Sequence, residues 1–596
     1  MIYLYTLPGT AFNSPQISIP LLKGYLKNSG ITSKQYDLSA IFLEKCFTKN
    51  YIKKLSLKYY NSLNENEKNI IENIENSIKE LKYKYIDTSK IVSANYKVLQ
   101  YLNILGNFYN IKWGRRGIDF SKKISTIDDV IELAFDKNNS LFDRVLENEQ
   151  DLKDEDIIYL SIQYPFQLNY AIRFSKFLKS QNDKIKIIFG GDYITHINKN
   201  LEELMKKCLF IDGITLFGNY DNVVKLIEMF KKNEKTSNIN NTIYRLGNKI
   251  LFNYNIAKDE FYKERYVPDF SDLNLNKYLS NLKLISLTLN YGCYHSQCMF
   301  CSRYFYYNGY HCYDIDRILE YIKFLYENEH IEAIYFIDEC VPPDILIKLS
   351  KYLIENNIKI KWMVETRIHK KYLDIAVANL LYESGCREIS FGIESNNRRI
   401  LNDMKKGIDL NDAKKVMKNF FNSGISVSAT FMIGYPTENI FNIIKTLTFI
   451  KKFKYLDTFG LSVFNYMRNS KIVNLSNLNE SQDLNLIYRT TLDNYDECLN
   501  IIEKFNKNKK IHKFIANREK ILYRSEYMYL DRKFYSLNYK RGESMNKKTI
   551  FKKIDKNELK SKIYLKELKP EMTQCRIVVN VNIFCRFLVK SFVGFW

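Results

Sequence analysis

Glycine and proline are scarce, with 21 and 9 in 596 residues. That argues against long disordered linkers, and no internal repeat stands out. A disulfide framework is missing too. Eight of the eleven cysteines (Cys46, Cys208, Cys312, Cys340, Cys386, Cys498, Cys575, Cys585) stand apart, as buried thiols do in a reducing compartment. The opening "MIYLYTLPGTAFNSPQ" has no basic segment followed by an apolar core, so no secretion signal is expected. The most apolar stretch, 577–596, is broken by Asn580, Asn582, Arg586 and Lys590. It falls short of the ~20 apolar residues of a spanning helix and reads as a packed terminal element. The expectation is a soluble, cytoplasmic protein with no transmembrane segment.

What is present suits a folded chain: 46% hydrophobic and 26% charged residues. A length of 596 exceeds one ordinary core and implies two or three domains. The net charge of +23 is spread through a uniform enrichment in Lys, Asn, Ile and Tyr, with no dense basic arm. A nucleic-acid partner is therefore not expected.

Three regions differ in periodicity. Over residues 1–255 the runs "MIYLYTLP", "DIIYLSIQY" and "KIKIIFGGDYIT" read as buried parallel strands. Helical patterns lie between them, and Gly190–Gly191 closes one strand. Such alternation predicts a doubly wound, Rossmann-like parallel sheet, interrupted by a charged, helical insertion at about 47–151. Over 282–470 six strand candidates alternate with helices: "KLISLTLNYG", "IEAIYFIDE", "IKIKWMVETR", "REISFGIES", "ISVSATFMIGYP" and "TFGLSVFNYM". They predict a partial (β/α)6 barrel of the TIM type, an α/β fold whose chemistry belongs at the C-terminal strand ends. Residues 471–596 are Tyr- and Lys-rich, and read as a mixed, mostly helical region of unassigned fold.

The chemistry-bearing stretch follows the first of these six strands. "YGCYHSQCMFCSRYFY" holds Cys293, Cys298 and Cys301 within nine residues, and the chain has no second CxxC. Thiolates this close usually serve a metal. A zinc site would need a fourth ligand from His295 or from His311–Cys312. An iron–sulfur cluster with one iron left open needs none.

Here the sequence resembles the radical S-adenosylmethionine (SAM) enzymes, whose CxxxCxΦC signature holds a [4Fe-4S] cluster that chelates SAM. This chain reads CxxxxCxxC, one residue longer, with Phe300 at the Φ position. The resemblance implies metal and catalytic roles for Cys293, Cys298 and Cys301. It continues strand by strand: Asp338 and Glu339 stand where the family places a carboxylate for the SAM ammonium, and Arg367 where it would meet the SAM carboxylate. Glu394 and Ser395 close "FGIES", similar to the ribose-binding segment. Gly434 and Glu438 lie in "FMIGYPTEN", similar to the segment beside the adenine, with Thr437 replacing a glycine.

The N-terminal region resembles the cobalamin-binding-like domain that precedes the barrel in one branch of this superfamily. No histidine occurs before His196, so the D-x-H-x-x-G axial ligand is absent. Either cobalamin binds without a protein histidine, the preferred reading, or the domain is a scaffold. The implied function is reductive cleavage of SAM and hydrogen-atom abstraction from a peptide or other natural-product precursor, with cobalamin-dependent methyl transfer if the corrinoid is kept. A flavodoxin- or ferredoxin-like reductant is the implied partner. The alternatives are an RNA-modifying relative and a zinc-stabilised binding protein.

Overall fold

The computed structural model describes residues 1–9, 12–82, 88–114, 117–120, 124–137, 140–146, 152–232, 239–253, 268–303 and 309–475, with short pieces at 484, 487–488, 497–498, 500–502 and 516–517. The C-terminal stretch expected to be mostly helical falls largely outside these residues.

The N-terminal sheet consists of β1 (Ile2–Thr6), β2 (Ser33–Asp37), β3 (Ile157–Ser161), β4 (Lys186–Gly190), β5 (Gly213–Thr215), β6 (Thr242–Leu246) and β7 (Lys249–Asn253). Its order is β2-β1-β3-β4-β5-β6-β7, parallel through β5, with an antiparallel hairpin of β6 and β7 at the far edge. β1 and β3 are almost wholly buried, which is why they show as apolar runs. β2, "SKQYD", is an edge strand that alternates in burial and carries no such run. The order reverses direction between β1 and β3, the place where a doubly wound sheet opens toward a ligand at its strand C-termini. The insertion is helical as expected, with its longest helix at Thr88–Phe108, and adds an unanticipated hairpin of Ile111–Gly114 with Gly117–Phe120.

Gly190 and Gly191 close β4 for a packing reason. A methyl group on Gly190 would lie 1.9 Å from the Tyr159 hydroxyl. Gly191 has φ +109°, and its methyl would stand 2.3 Å from the Ile162 carbonyl oxygen, which cannot move aside. Gly191→Ala is expected to cost roughly 2–3 kcal/mol in a denaturant titration. A loss under about 0.5 kcal/mol would show that the β3–β4 approach is soft.

The second sheet is all parallel: β8 (Leu284–Leu287), β9 (Ala333–Phe336), β10 (Lys361–Thr366), β11 (Cys386–Glu394), β12 (Ser426–Ile433), β13 (Thr458–Val463) and a short β14 (Ala516–Asn517), in chain order. The first six coincide with the six predicted strands; the seventh pairs Ala516 with Thr458 and Asn517 with Phe459. Helices return each strand to the next, as in the partial (β/α)6 barrel that the pattern predicts. Helix Leu410–Ser423 shows the local logic: Asp409 caps its first amides and Gly424, at φ +100°, its last carbonyls.

Residues 268–279 bind back onto the N-terminal sheet. Asp269 N donates to Pro20 O at 2.9 Å and Leu279 N to Phe12 O at 2.7 Å. The Tyr278 hydroxyl donates to Asp37 Oδ2 at 2.7 Å. Burial pushes the Asp37 carboxyl up to about 6, against those hydrogen bonds. The folded state therefore holds a proton there that the unfolded chain releases near pH 4, and this group's contribution falls as pH rises from about 4 to 6. Asp37→Asn should gain on the parent by roughly 2–3 kcal/mol between pH 4 and 7, then level off. A pH-independent difference would refute the shift.

Candidate functional site

The cysteine loop leaves β8 through a short antiparallel pairing of Asn290–Gly292 with Tyr310–Cys312. Asp338, just after β9, fixes the start of this loop: its carboxylate accepts the amides of Leu289 (2.9 Å) and Asn290 (2.7 Å). It is fully enclosed, and burial raises its pKa to about 7. Both oxygens thus face backbone amides. Cys293 forms a backbone bridge with Cys340 at the mouth of β9.

The extra residue in the cysteine spacing is taken up by a turn. Ser296 adopts φ +44°, and its hydroxyl donates to the Cys293 carbonyl. The turn swings His295 away, so that its Nε2 lies 2.8 Å from Lys405 O. Met299 N donates to Met404 O at 3.0 Å. The cysteine loop is therefore braced against the 404–407 turn that follows β11.

That turn carries the residue that sequence reasoning missed. Lys406 is buried, and its Nζ donates to Glu394 Oε1 at 2.9 Å; the two side chains are 9% and 3% exposed. The same ammonium lies 5.8 Å from the Phe300 ring centroid. Burial works against its charge, but Glu394 and Cys298 overcome that and raise its pKa. Arg367, at the end of β10, donates to Lys406 O at 2.5 Å and so fixes the turn. Burial pushes the Cys298 thiol up, opposed by the cations of Lys406 and Arg367. Glu394 itself sits at φ +67°, and no hydrogen bond reaches its buried Oε2.

Of the predicted residues, the structure thus draws Cys298, Phe300, Arg367 and Glu394 into one neighbourhood. An apolar wall of Met404, Met432, Tyr435 and Phe464 packs on Phe300, with Cys298 and Cys301 against it. Glu339 is buried and forms an ion pair with Arg303 at 3.2 Å. Ser395 turns toward a helix, its hydroxyl 3.3 Å from Thr446 Oγ1. Glu438 shapes the turn after β12 by accepting the Gly434 amide at 2.7 Å; burial lifts its carboxyl to about 7. No signal in "NDMKKGIDL" marks Lys406 as buried, because Lys-Lys-Gly reads as a solvated turn.

The donors fit a cluster better than a single ion. All three cysteines are half-buried. Among the described residues, no group of three or more His, Cys, Asp or Glu is drawn onto one metal ion. Two of the three residues that could close a zinc site are engaged elsewhere, His295 on Lys405 O and Cys312 on the Tyr310 hydroxyl. A cubane, with its thiolates on different irons, does not ask them to meet at one point. Two buried cations beside Cys298 suit an anionic cluster, and the open Glu394 Oε2 suits a hydrogen-bond donor of a bound nucleoside. In the N-terminal domain His196 Nε2 lies 3.1 Å from Asp192 Oδ2, and the residues before it supply no imidazole. A corrinoid held without a protein ligand fits that composition. Among the described residues, no helix is long and apolar enough to cross a membrane.

Comparison with known proteins agrees with this geometry. The model of the Radical SAM superfamily matches residues 287–450. An uncharacterized methyltransferase of Pyrococcus horikoshii is 25% identical over 289 residues, 47% of this chain and 61% of the relative. The anaerobic magnesium-protoporphyrin IX monomethyl ester cyclase of Rubrivivax gelatinosus is 23% identical over 182 residues, 29% of this chain and 32% of that one. The matches thus span less than two thirds of these relatives. Among solved structures, the cobalamin-dependent SAM radical enzyme OxsB, with aqua-cobalamin and SAM bound, superposes with a TM-score of 0.55 at 14% identity, covering 99% of this chain and 77% of OxsB. The radical SAM methyltransferase TsrM from Kitasatospora setae gives 0.50 at 12% identity, covering 80% and 76%. Residues 287–450 thus match the Radical SAM superfamily, and the chain shares the fold of OxsB.

Proposed function

We propose that this chain carries a [4Fe-4S] cluster on Cys293, Cys298 and Cys301, cleaves SAM reductively, and uses cobalamin to methylate a carbon of a peptide or other natural-product precursor. When bound, such a cluster would pass one electron to SAM, releasing methionine and a 5'-deoxyadenosyl radical that takes a hydrogen atom from the substrate. Cobalamin would relay the methyl group of a second SAM to the resulting carbon radical. A flavodoxin- or ferredoxin-like protein would supply the electrons, one for SAM cleavage and one to restore the corrinoid.

The chain's own residues do the placing. The Ser296 turn and the 404–407 turn fix the loop between the first and last cysteines. Lys406 and Arg367 set a positive potential beside Cys298. Phe300 and its apolar neighbours keep water from that side. Glu394 offers its open oxygen to a hydroxyl or ammonium of SAM. Glu339, Ser395, Gly434 and Glu438 shape the neighbouring strand ends. The observation that carries the reading is the cysteine trio beside the buried Lys406–Glu394 pair, at the C-terminal end of the barrel strands. The fold likeness to OxsB supports the cobalamin part of this reading, and the likeness to the methyltransferase TsrM supports its methylating outcome.

Anaerobic reconstitution with iron and sulfide, followed by SAM and dithionite, tests it. The expected product is 5'-deoxyadenosine, and the same preparation should take up hydroxocobalamin with its absorption bands. An intact cluster that leaves SAM uncleaved would overturn the SAM reading. Failure to retain the corrinoid would reduce the N-terminal domain to a scaffold.

A further inference from the structure

A chain of buried charge joins the two sheets, and nothing in the chemistry above uses it. Arg303 lies two residues after Cys301 and is only 3% exposed. Its Nε forms an ion pair with Glu339 Oε1 at 3.2 Å, at the mouth of β9. Its Nη1 stands 3.9 Å from Asp192 Oδ2, in the N-terminal domain. Asp192 opens the short helix Asp192–His196, directly after Gly190–Gly191 at the end of β4. His196 Nε2 lies on the same Asp192 oxygen at 3.1 Å. From the other side Arg468, after β13, reaches His196 O at 3.5 Å.

One guanidinium therefore spans two carboxylates, one from each domain, immediately beyond the last cysteine. Arginine suits this place because its planar fork engages two acids at once and keeps its charge when buried. Buried ionic groups are a poor source of net stability, and their best-attested use is to fix a register. The register here is that of the cysteine loop against the strand ends of the N-terminal sheet.

We propose that Arg303 is a positioning residue: through Asp192 and Glu339 it sets the distance and orientation between the cluster loop and the N-terminal crevice. This inference rests on the two-cofactor reading given above. A reaction divided between two centres needs them held at a fixed separation, and Arg303 is the link that starts at the cluster loop itself.

The test uses the full chain. In the cofactor-free protein, Arg303→Met is expected to speed amide exchange in Asp192–His196 by about tenfold, with Cys386–Glu394 unchanged. Asp192→Asn should do the same, and the double variant should exceed neither, because both changes remove one link. Arg303→Lys should restore part of the protection. Unchanged exchange, or additive single effects, would overturn the proposal. In protein loaded with cluster and hydroxocobalamin and then reduced, Arg303→Met should keep its iron yet alter the magnetic relaxation of cob(II)alamin by the cluster. Faster exchange with unaltered relaxation would leave Arg303 a merely structural residue and likewise overturn the proposal. If the parent chain takes up neither cofactor, the functional reading fails on its own, and the exchange experiment still judges the Arg303 link.

Discussion

Cys298→Ala is expected to strip the chain of its cluster. After anaerobic reconstitution the parent should hold about four irons and four sulfides, and the variant well under half of that. Cys298 is the middle cysteine of the loop, and the cations of Lys406 and Arg367 act on its thiol. Alanine would leave those two cations opposite a methyl group, in a pocket walled by Phe300, Met432 and Tyr435. Groups that merely support metal ligands are worth 10–100-fold in metal affinity or activity, so losing a ligand should reduce 5'-deoxyadenosine formation by at least roughly a hundredfold. Cluster content and SAM cleavage equal to the parent's would remove Cys298 from the ligand set. One zinc per chain in the parent would return the loop to a structural metal site.

Lys406→Met should be the most damaging change to stability around the site, at about 3–5 kcal/mol. Methionine fills much of the volume but leaves Glu394, 3% exposed, without the one ion pair it makes among the described residues. The carboxylate must then take up a proton or draw in water, against a backbone already at φ +67°. Glu394→Gln in the same background should recover part of the loss, because it removes the stranded charge. Midpoints of denaturant unfolding would measure both variants. A cost below about 1 kcal/mol for Lys406→Met would show that the pair is hydrated and that its burial is illusory.

Much of this architecture was readable because buried parallel strands leave continuous apolar runs. "IEAIYFIDE" and "REISFGIES" announce β9 and β11 in this way. The edge strand β2 left no such trace, since one side of it faces solvent. The cysteine trio was legible from spacing alone. Strand ends were legible only as places: a sequence puts Asp338 and Ser395 at the barrel mouth but cannot say which way they turn. Asp338 turned to the Leu289 and Asn290 amides, and Ser395 to Thr446. Lys406 and Arg303 escaped notice for the opposite reason. Long cationic side chains normally lie in water, and their burial here depends on acids that only the fold brings close: Glu394 for Lys406, Glu339 and Asp192 for Arg303.

The segment after β13 also sets a timetable for synthesis. Lys471 Nζ donates to Ser296 O at 2.8 Å, and Ile472 N to Met299 O at 2.9 Å. The cysteine loop thus receives partners for its backbone from residues made long after it. At about 5–20 residues per second the ribosome needs roughly 10–35 s to pass from Cys301 to Ile472. Throughout that interval the three thiols are finished but their pocket is not. The chain is then most open to stray metals and oxidants, and cluster assembly is expected to follow release of residue 472 rather than of the cysteines themselves.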